Sequence, residues 1–241
     1  MEIKVIASGS SGNAYLITDG TTSLLLECGV PIKKIQEALD FKVAQTVAAC
    51  LITHEHLDHC GHVEDILKMG IDCYASRGTW IARGRTCDNQ ARLMRVTDDD
   101  GKPVLVTVGT FLVAAFPVQH DAKEPLGYLI DSTVTGERLL YITDSFYCKY
   151  TFPSITHIVA ECNYCADALQ ASVDAGITPA ELLPRLLKSH MSLETLIEML
   201  KANDLSKLRE IHLVHLSKDR SDAERMKTEV QKITGVPVYV H

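Results

Sequence analysis

Short apolar runs alternate with turn residues from the start of the chain. Residues 3–7, 14–18 and 23–27 are each of strand length and are separated by stretches rich in glycine, serine and threonine. An amphipathic segment at 32–39 reads as a helix and leads into a fourth apolar run, 50–53. The second half repeats the scheme: 104–108, 111–118, 126–131, 139–143 and 158–161 read as strands, and 180–187 and 193–202 as helices. A strand at 211–215, a helix near 223–233 and a short strand at 236–240 complete the pattern. Several strands are joined by connections too short for a helical crossover. The pattern therefore predicts an α/β protein of two strand-rich halves, a four-layer αβ/βα sandwich, rather than a doubly wound parallel sheet. No linker or low-complexity stretch interrupts it, so a single domain over 1–241 is expected. Residues 77–95 are the least regular part.

Composition narrows this picture. With 241 residues, 46% of them hydrophobic, the chain can bury a full core without disulfides. No stretch reaches the ~18 apolar residues of a membrane span. The opening Met1-Glu-Ile-Lys-Val-Ile lacks the layout of a signal peptide, so a cytoplasmic protein with no membrane partner is expected. Most of the eight cysteines sit singly in apolar runs and read as reduced core thiols; Cys162 and Cys165 form a C-x-x-C without a second ligand pair. The net charge of −7 argues against a protein that coats nucleic acid nonspecifically. It does not exclude a nuclease, because carboxylates that hold cations count as negative in such a tally.

The strongest chemical signal is Thr53-His54-Glu55-His56-Leu57-Asp58-His59, between an apolar strand and a helix-compatible run at 63–68. On an extended segment His54 and His56 point the same way, while Asp58 and His59 lie where the chain turns into the helix. One loop can thus supply two neighbouring metals. Imidazole and carboxylate together suit zinc or manganese, and also iron. A solvated loop with incidental histidines is the bland alternative, which this spacing after a buried strand disfavours. Further ligands should come from other strand ends, where His120, Asp144 and His215 each follow an apolar run.

The order H-x-H-x-D-H, then His, Asp and His, resembles the metallo-β-lactamase superfamily over the whole chain. The pattern is similar to that of the small YycJ-like (WalJ-type) nucleases, through Ser8-Gly-Ser-Ser-Gly-Asn-Ala, His120-Asp-Ala-x-x-Pro-x-Gly-Tyr128 and His215-Leu-Ser. The resemblance implies two divalent metal ions: His54, His56 and His120 on one, Asp58, His59 and His215 on the other, and Asp144 bridging. It also implies hydrolysis of a phosphodiester by a metal-bridging hydroxide that Asp58 orients, with His190 protonating the leaving oxygen. A capping-loop histidine without catalytic duty is the alternative for His190. The 46 positions from Asp144 to His190 are too few for a β-CASP cap.

Other histidines read differently. His212 and His215 lie three apart on one strand and face opposite sides, so only His215 is expected in the cleft. His62, His157 and His241 read as structural or surface residues. Two departures from the family pattern stand out. Glu27 replaces the aspartate that supports the metal loop from behind, and the usual Glu-Ser-Asn-His-Asp is here Glu161-Cys-Asn-Tyr-Cys, which keeps Glu161 and Asn163 as expected substrate contacts.

Ser10, Ser11 and Asn13 are expected to present backbone amides to a flanking phosphate, although a plain tight turn fits the same glycines. Arg83 and Arg85, with Trp80 as a stacking platform, suit single-stranded nucleic acid; a charge-balanced surface excursion fits them equally, since Asp88, Asp98, Asp99 and Asp100 are close by. The preferred function is a DNA exonuclease. A small-molecule hydrolase on the same fold, such as a cyclic phosphodiesterase or less readily a thioester or lactam hydrolase, is the first alternative. A metal-containing regulatory protein without turnover is the second. Oligomeric state is not legible; a dimer is compatible with the sequence.

Overall fold

The computed structural model describes all 241 residues. Thirteen strands form one six-stranded and one seven-stranded sheet. By their contacts the residues divide into two compact units, Met1–Pro117 with Ala122–Glu137, and Val118–Asp121 with Arg138–His241.

In the first unit, β1 (Glu2–Ala7), β2 (Ala14–Thr18) and β3 (Ser23–Leu26) are antiparallel neighbours. The sheet then continues parallel through β4 (Ala49–Leu51), β5 (Asp72–Ala75) and β6 (Ala91–Leu93). The parallel connections carry α1 (Ile32–Ala38), α2 (Val43–Thr46), α3 (Leu57–Cys60), α4 (Val63–Lys68) and α5 (Arg77–Ala82). Leu25, Cys50, Cys73 and Ala75 of the strands, with Ile52 just after β4, meet Ile35, Val63, Ile66 and Trp80 of the helices in one buried cluster. Strands β7 (Leu105–Val108), β8 (Phe111–Pro117) and β9 (Leu126–Ser132) form an antiparallel meander. Asp19, in the β2–β3 turn, fastens the meander to the first sheet: its carboxylate accepts from Thr21 and Thr22 amides and from the Thr110 and Ser132 hydroxyls at 2.6–3.0 Å. Burial opposes its charge, but these four donors outweigh it and lower its pKa to about 2.

The second unit is a parallel set, β10 (Arg138–Ile142), β11 (His157–Glu161), β12 (Glu210–Val214) and β13 (Val238–Val240). Helices α6 (Ala166–Asp174), α7 (Leu183–Ser189, after a 3₁₀ turn at Ala180–Leu182) and α8 (Leu193–Ala202) lie between β11 and β12 in sequence, and α9 (Ala223–Thr234) precedes β13. Sequence chemistry sets the helix ends. Ser192 and Asp222 accept from the amides of Thr195 and Arg225, and Gly235 takes the left-handed conformation that terminates α9.

The irregularity expected at 77–95 is corrected in part. Ser76 caps α5 through the Thr79 amide and β6 pairs in parallel with β5, so both ends of the segment are regular, while residues 83–90 between them form an irregular connection. Trp80 is 1% exposed and donates its indole N–H to the Arg92 carbonyl at 2.9 Å, so it fills the core and is not a stacking platform. The thiols are all free; seven are buried and Cys87 is exposed. Burial raises the Cys60 thiol to about 12, which suits inert core packing. No helix is long and apolar enough to cross a membrane.

Candidate metal centre

In the first unit the 54–59 loop follows β4, a parallel strand, and leads into α3. His54 and His56 lie with ring centroids 4.6 Å apart, and His54 and His59 4.2 Å apart. His54 is held by Thr53 Oγ1 at 2.9 Å from Nδ1. His59 is fully buried, with Nδ1 3.6 Å from Glu27 and Nε2 3.5 Å from Asp58. Glu27 is also fully buried; its Oε2 accepts the Thr53 amide at 3.3 Å, so one carboxylate touches both ends of the loop.

The glycine-rich turn at 8–13 braces this loop from the side. The Asn13 backbone amide donates to the Asp58 carbonyl at 2.8 Å and its Nδ2 donates to the same oxygen at 3.1 Å. Asn13 Oδ1 accepts from the Gly9 amide and the Tyr15 hydroxyl. The side chain is fully buried and the backbone amide expected to face a phosphate is engaged by the Asp58 carbonyl, so Asn13 braces the 54–59 loop. Ser10 and Ser11 are exposed. Gly29 fits against the same loop so closely that a Cβ there would lie 1.7 Å from the Asp58 carbonyl oxygen.

In the second unit His120, Asp144, Glu161, His190 and His215 come together. His120 Nε2 is 3.6 Å from Asp144 Oδ2, and His215 Nε2 is 3.6 Å from Asp144 Oδ1, so one carboxylate faces two imidazoles. Asp144, Glu161, His190 and His215 each offer a ligand atom within 4.8 Å of the others. Asp144 and His215 both adopt left-handed φ, 45° and 55°, as does Glu27 at 64° in the first unit. Each follows the end of a strand, and such strain in non-glycine residues is characteristic of functional positions.

Glu161 organises the cluster. Its Oε2 accepts the amides of Ser145 and Met191 at 3.1 and 3.0 Å, and its Oε1 accepts His190 Nδ1 at 2.6 Å and lies 3.4 Å from His215 Nδ1. Complete burial opposes its charge, yet His190 outweighs that and keeps its pKa low. Burial likewise opposes charge on His190, and Glu161 outweighs it, so the His190 pKa is raised. For His120 burial wins and the pKa is lowered, while Nδ1 is held by the Ser189 carbonyl at 2.8 Å, an arrangement that leaves Nε2 as a neutral donor to a cation. Asn163, 5% exposed, donates to the His215 carbonyl at 2.9 Å. Glu161 and Asn163, expected to touch substrate, are both buried, and they hold His190 Nδ1 and the His215 carbonyl. The burial pattern that reveals this depends on strand packing and has no local sequence signal.

Imidazoles and carboxylates in these numbers, most of them buried and with fixed ring orientations, fit divalent cations. The remaining histidines lie apart. His212 contacts His241 at 3.0 Å and Glu210 at 3.3 Å, His157 is held by Thr156, and half-exposed His62 pairs with Asp65. Arg85 is neutralised by Glu64 at 2.6 Å and Asp88 at 3.0 Å, which is the charge-balanced reading of that segment, and Arg83 neighbours it.

The family described as "Beta-lactamase superfamily domain" matches residues 24–216, a span that runs from β3 past His215 and covers most of the chain. The chain belongs to this family. Two relatives are similar along most of their length. Exodeoxyribonuclease WalJ of Streptococcus pneumoniae serotype 2 is 29% identical over 232 residues, covering 91% of this chain and 83% of that protein. Exodeoxyribonuclease YycJ of Bacillus anthracis is 28% identical over 248 aligned residues, covering 97% and 89%. Among solved structures, the metallo-β-lactamase fold protein YhfI from Bacillus subtilis superposes with a TM-score of 0.72 at 17% identity, covering 99% of this chain and 95% of that one. The fold is therefore that of the metallo-β-lactamase superfamily. Membership makes the chain a metal-dependent hydrolase, and its histidine and aspartate clusters are groups that could hold a divalent metal.

Proposed function

We propose that this chain is a dinuclear phosphodiesterase acting on nucleic acid, and specifically a DNA exonuclease. The observation that carries the reading is the Glu161–His190 pair: a mostly buried imidazole with raised pKa, held by a buried carboxylate at 2.6 Å beside Asp144 and His215. An imidazolium fixed next to a cation site is the group needed to protonate a departing oxygen. The two relatives bear the name exodeoxyribonuclease, which supports DNA as the substrate.

In this reading His54, His56 and His120 would hold one zinc or manganese ion, Asp58, His59 and His215 would hold the other, and Asp144 would serve both. When bound, the ions supply an activated water and neutralise charge on the phosphoryl oxygens. The chain's own groups do the rest. Asp58 accepts a hydrogen bond from the attacking water and aligns it. Glu161 holds the proton on His190 Nδ1, leaving Nε2–H directed at the leaving oxygen. Glu27 and Asn13 keep the 54–59 loop rigid, so that the ligands do not move as charge develops.

Purified protein loaded with Mn²⁺ or Zn²⁺ is incubated with end-labelled single- and double-stranded oligonucleotides and with a panel of cyclic nucleotides. The expected result is stepwise loss of nucleotides from the DNA. Turnover of the cyclic nucleotides alone would overturn the proposal in favour of a small-molecule phosphodiesterase.

A further inference from the structure

The arginines of segment 77–95 are largely spent on carboxylates: Arg85 on Glu64 and Asp88, Arg92 on Asp72 and Arg95 on Asp99. Two others are not. Arg185, on α7, and Arg220, in the loop after β12, line a concavity of about 230 Å³ together with His190 and Ser189. Arg185 uses only its Nε, which donates to Asp121 Oδ2 at 2.7 Å. Arg220 also uses only its Nε, on the Ser217 hydroxyl at 2.8 Å, and has no carboxylate partner. Each guanidinium is thus pinned at one nitrogen while its two terminal nitrogens remain available.

A guanidinium fixed in this way presents two N–H groups in the geometry of a phosphate edge. The backbone holding Arg220 is itself braced, since its carbonyl accepts the Cys165 amide at 2.9 Å. The positions matter as much as the charges. α7 leads directly into His190, and the Arg220 loop continues from His215, so both arginines are mounted on segments whose ends carry the chemistry. In a chain of net charge −7, two such cations on one concavity beside the proton donor select for an anion.

We propose that Arg185 and Arg220 form a phosphate subsite beside His190, which holds a phosphodiester of the substrate strand next to the one being cleaved. The inference rests on the nuclease reading and deepens it: the substrate class is a strand with at least two phosphates. Cyclic nucleotides and simple diesters, with one phosphate, leave the subsite empty.

The test uses metal-loaded enzyme, a fluorescein-labelled phosphorothioate oligonucleotide to slow turnover, and bis(p-nitrophenyl) phosphate as a one-phosphate substrate. Arg185→Ala and Arg220→Ala are each expected to weaken oligonucleotide binding in an anisotropy titration at least tenfold. Each should also reduce the slope of log affinity against log salt by about 0.7. The ratio of kcat/KM on a phosphodiester oligonucleotide to kcat/KM on bis(p-nitrophenyl) phosphate should fall at least tenfold, and Arg220→Lys should restore the salt slope. Melting temperature and metal content accompany each titration, to confirm that the variants are folded and loaded. Unchanged affinity and salt slope in both alanine variants, with the wild type degrading DNA, would overturn the subsite and leave the proposed function standing. An equal loss on both substrates would overturn it too, since the arginines would then act at the centre itself. A wild type that hydrolyses the small diester yet binds no oligonucleotide would refute both.

Discussion

Replacing Glu161 by glutamine changes one oxygen to an amide nitrogen in a fully buried position, where the surrounding bonds leave the new side chain a single orientation. Two backbone amides, of Ser145 and Met191, point at Oε2, so the glutamine must place its remaining oxygen there. The new NH₂ then occupies the Oε1 position, facing His190 Nδ1 at 2.6 Å and His215 Nδ1 at 3.4 Å. An NH₂ group only donates, so both rings must accept at Nδ1 and carry their proton on Nε2. His215 Nε2, which faces Asp144, then lacks the lone pair a metal needs. Loss of such a supporting partner costs about 10–100-fold in metal affinity, which is about 1.4–2.7 kcal/mol. His190 loses the carboxylate that outweighed its burial, so its pKa should fall and the alkaline limb of the pH–rate profile should move to lower pH. Metal affinity is measured by competition with a chromophoric chelator, and kcat/KM is followed from pH 5 to 9. A Glu161→Gln enzyme that binds metal within twofold of wild type and keeps its pH profile would refute this reasoning.

The geometry sets three other outcomes. Gly29→Ala forces a Cβ against the Asp58 carbonyl and should destabilise at or above the top of the ~1–3 kcal/mol overpacking range, with loss of metal content; urea unfolding and metal analysis test this, and a stable, fully loaded variant would contradict the packing described. Trp80→Ala should cost about 3–5 kcal/mol as a core truncation, whereas Arg85→Ala, which breaks exposed pairs only, should change stability by less than about 1 kcal/mol and leave turnover intact; a well-folded Trp80→Ala that has lost DNA binding would restore the stacking role. Asp19 has a folded pKa depressed from 3.8 to about 2, so it adds stability that is complete above about pH 4 and is lost as pH falls through 2. Asp19→Asn should therefore lose about 2 kcal/mol at pH 7, and the gap to wild type in thermal melts should close towards pH 2.

Local residue patterns were enough for the alternation of strands and helices, the α/β class and the candidate ligands, because strand ends and the 54–59 cluster are runs of polar residues set directly after apolar ones. Helices with amphipathic faces and capping residues, such as α8 and α9, lie where their residues require. α5 and β6 were not legible, since Trp80 among arginines reads as surface until a neighbouring strand is there to bury it. Glu161, Asn163 and Asn13 are polar residues whose roles depend on full burial and on partners 29 to 52 positions away. Burial and long-range pairing are properties of packed elements, so only the folded arrangement shows these three braced against His190, His215 and the 54–59 loop. The same holds for Arg185 and Arg220, 35 positions apart in a chain with 24 basic residues: nothing local separates them from the arginines neutralised elsewhere until the fold shows which guanidiniums keep free N–H groups beside His190.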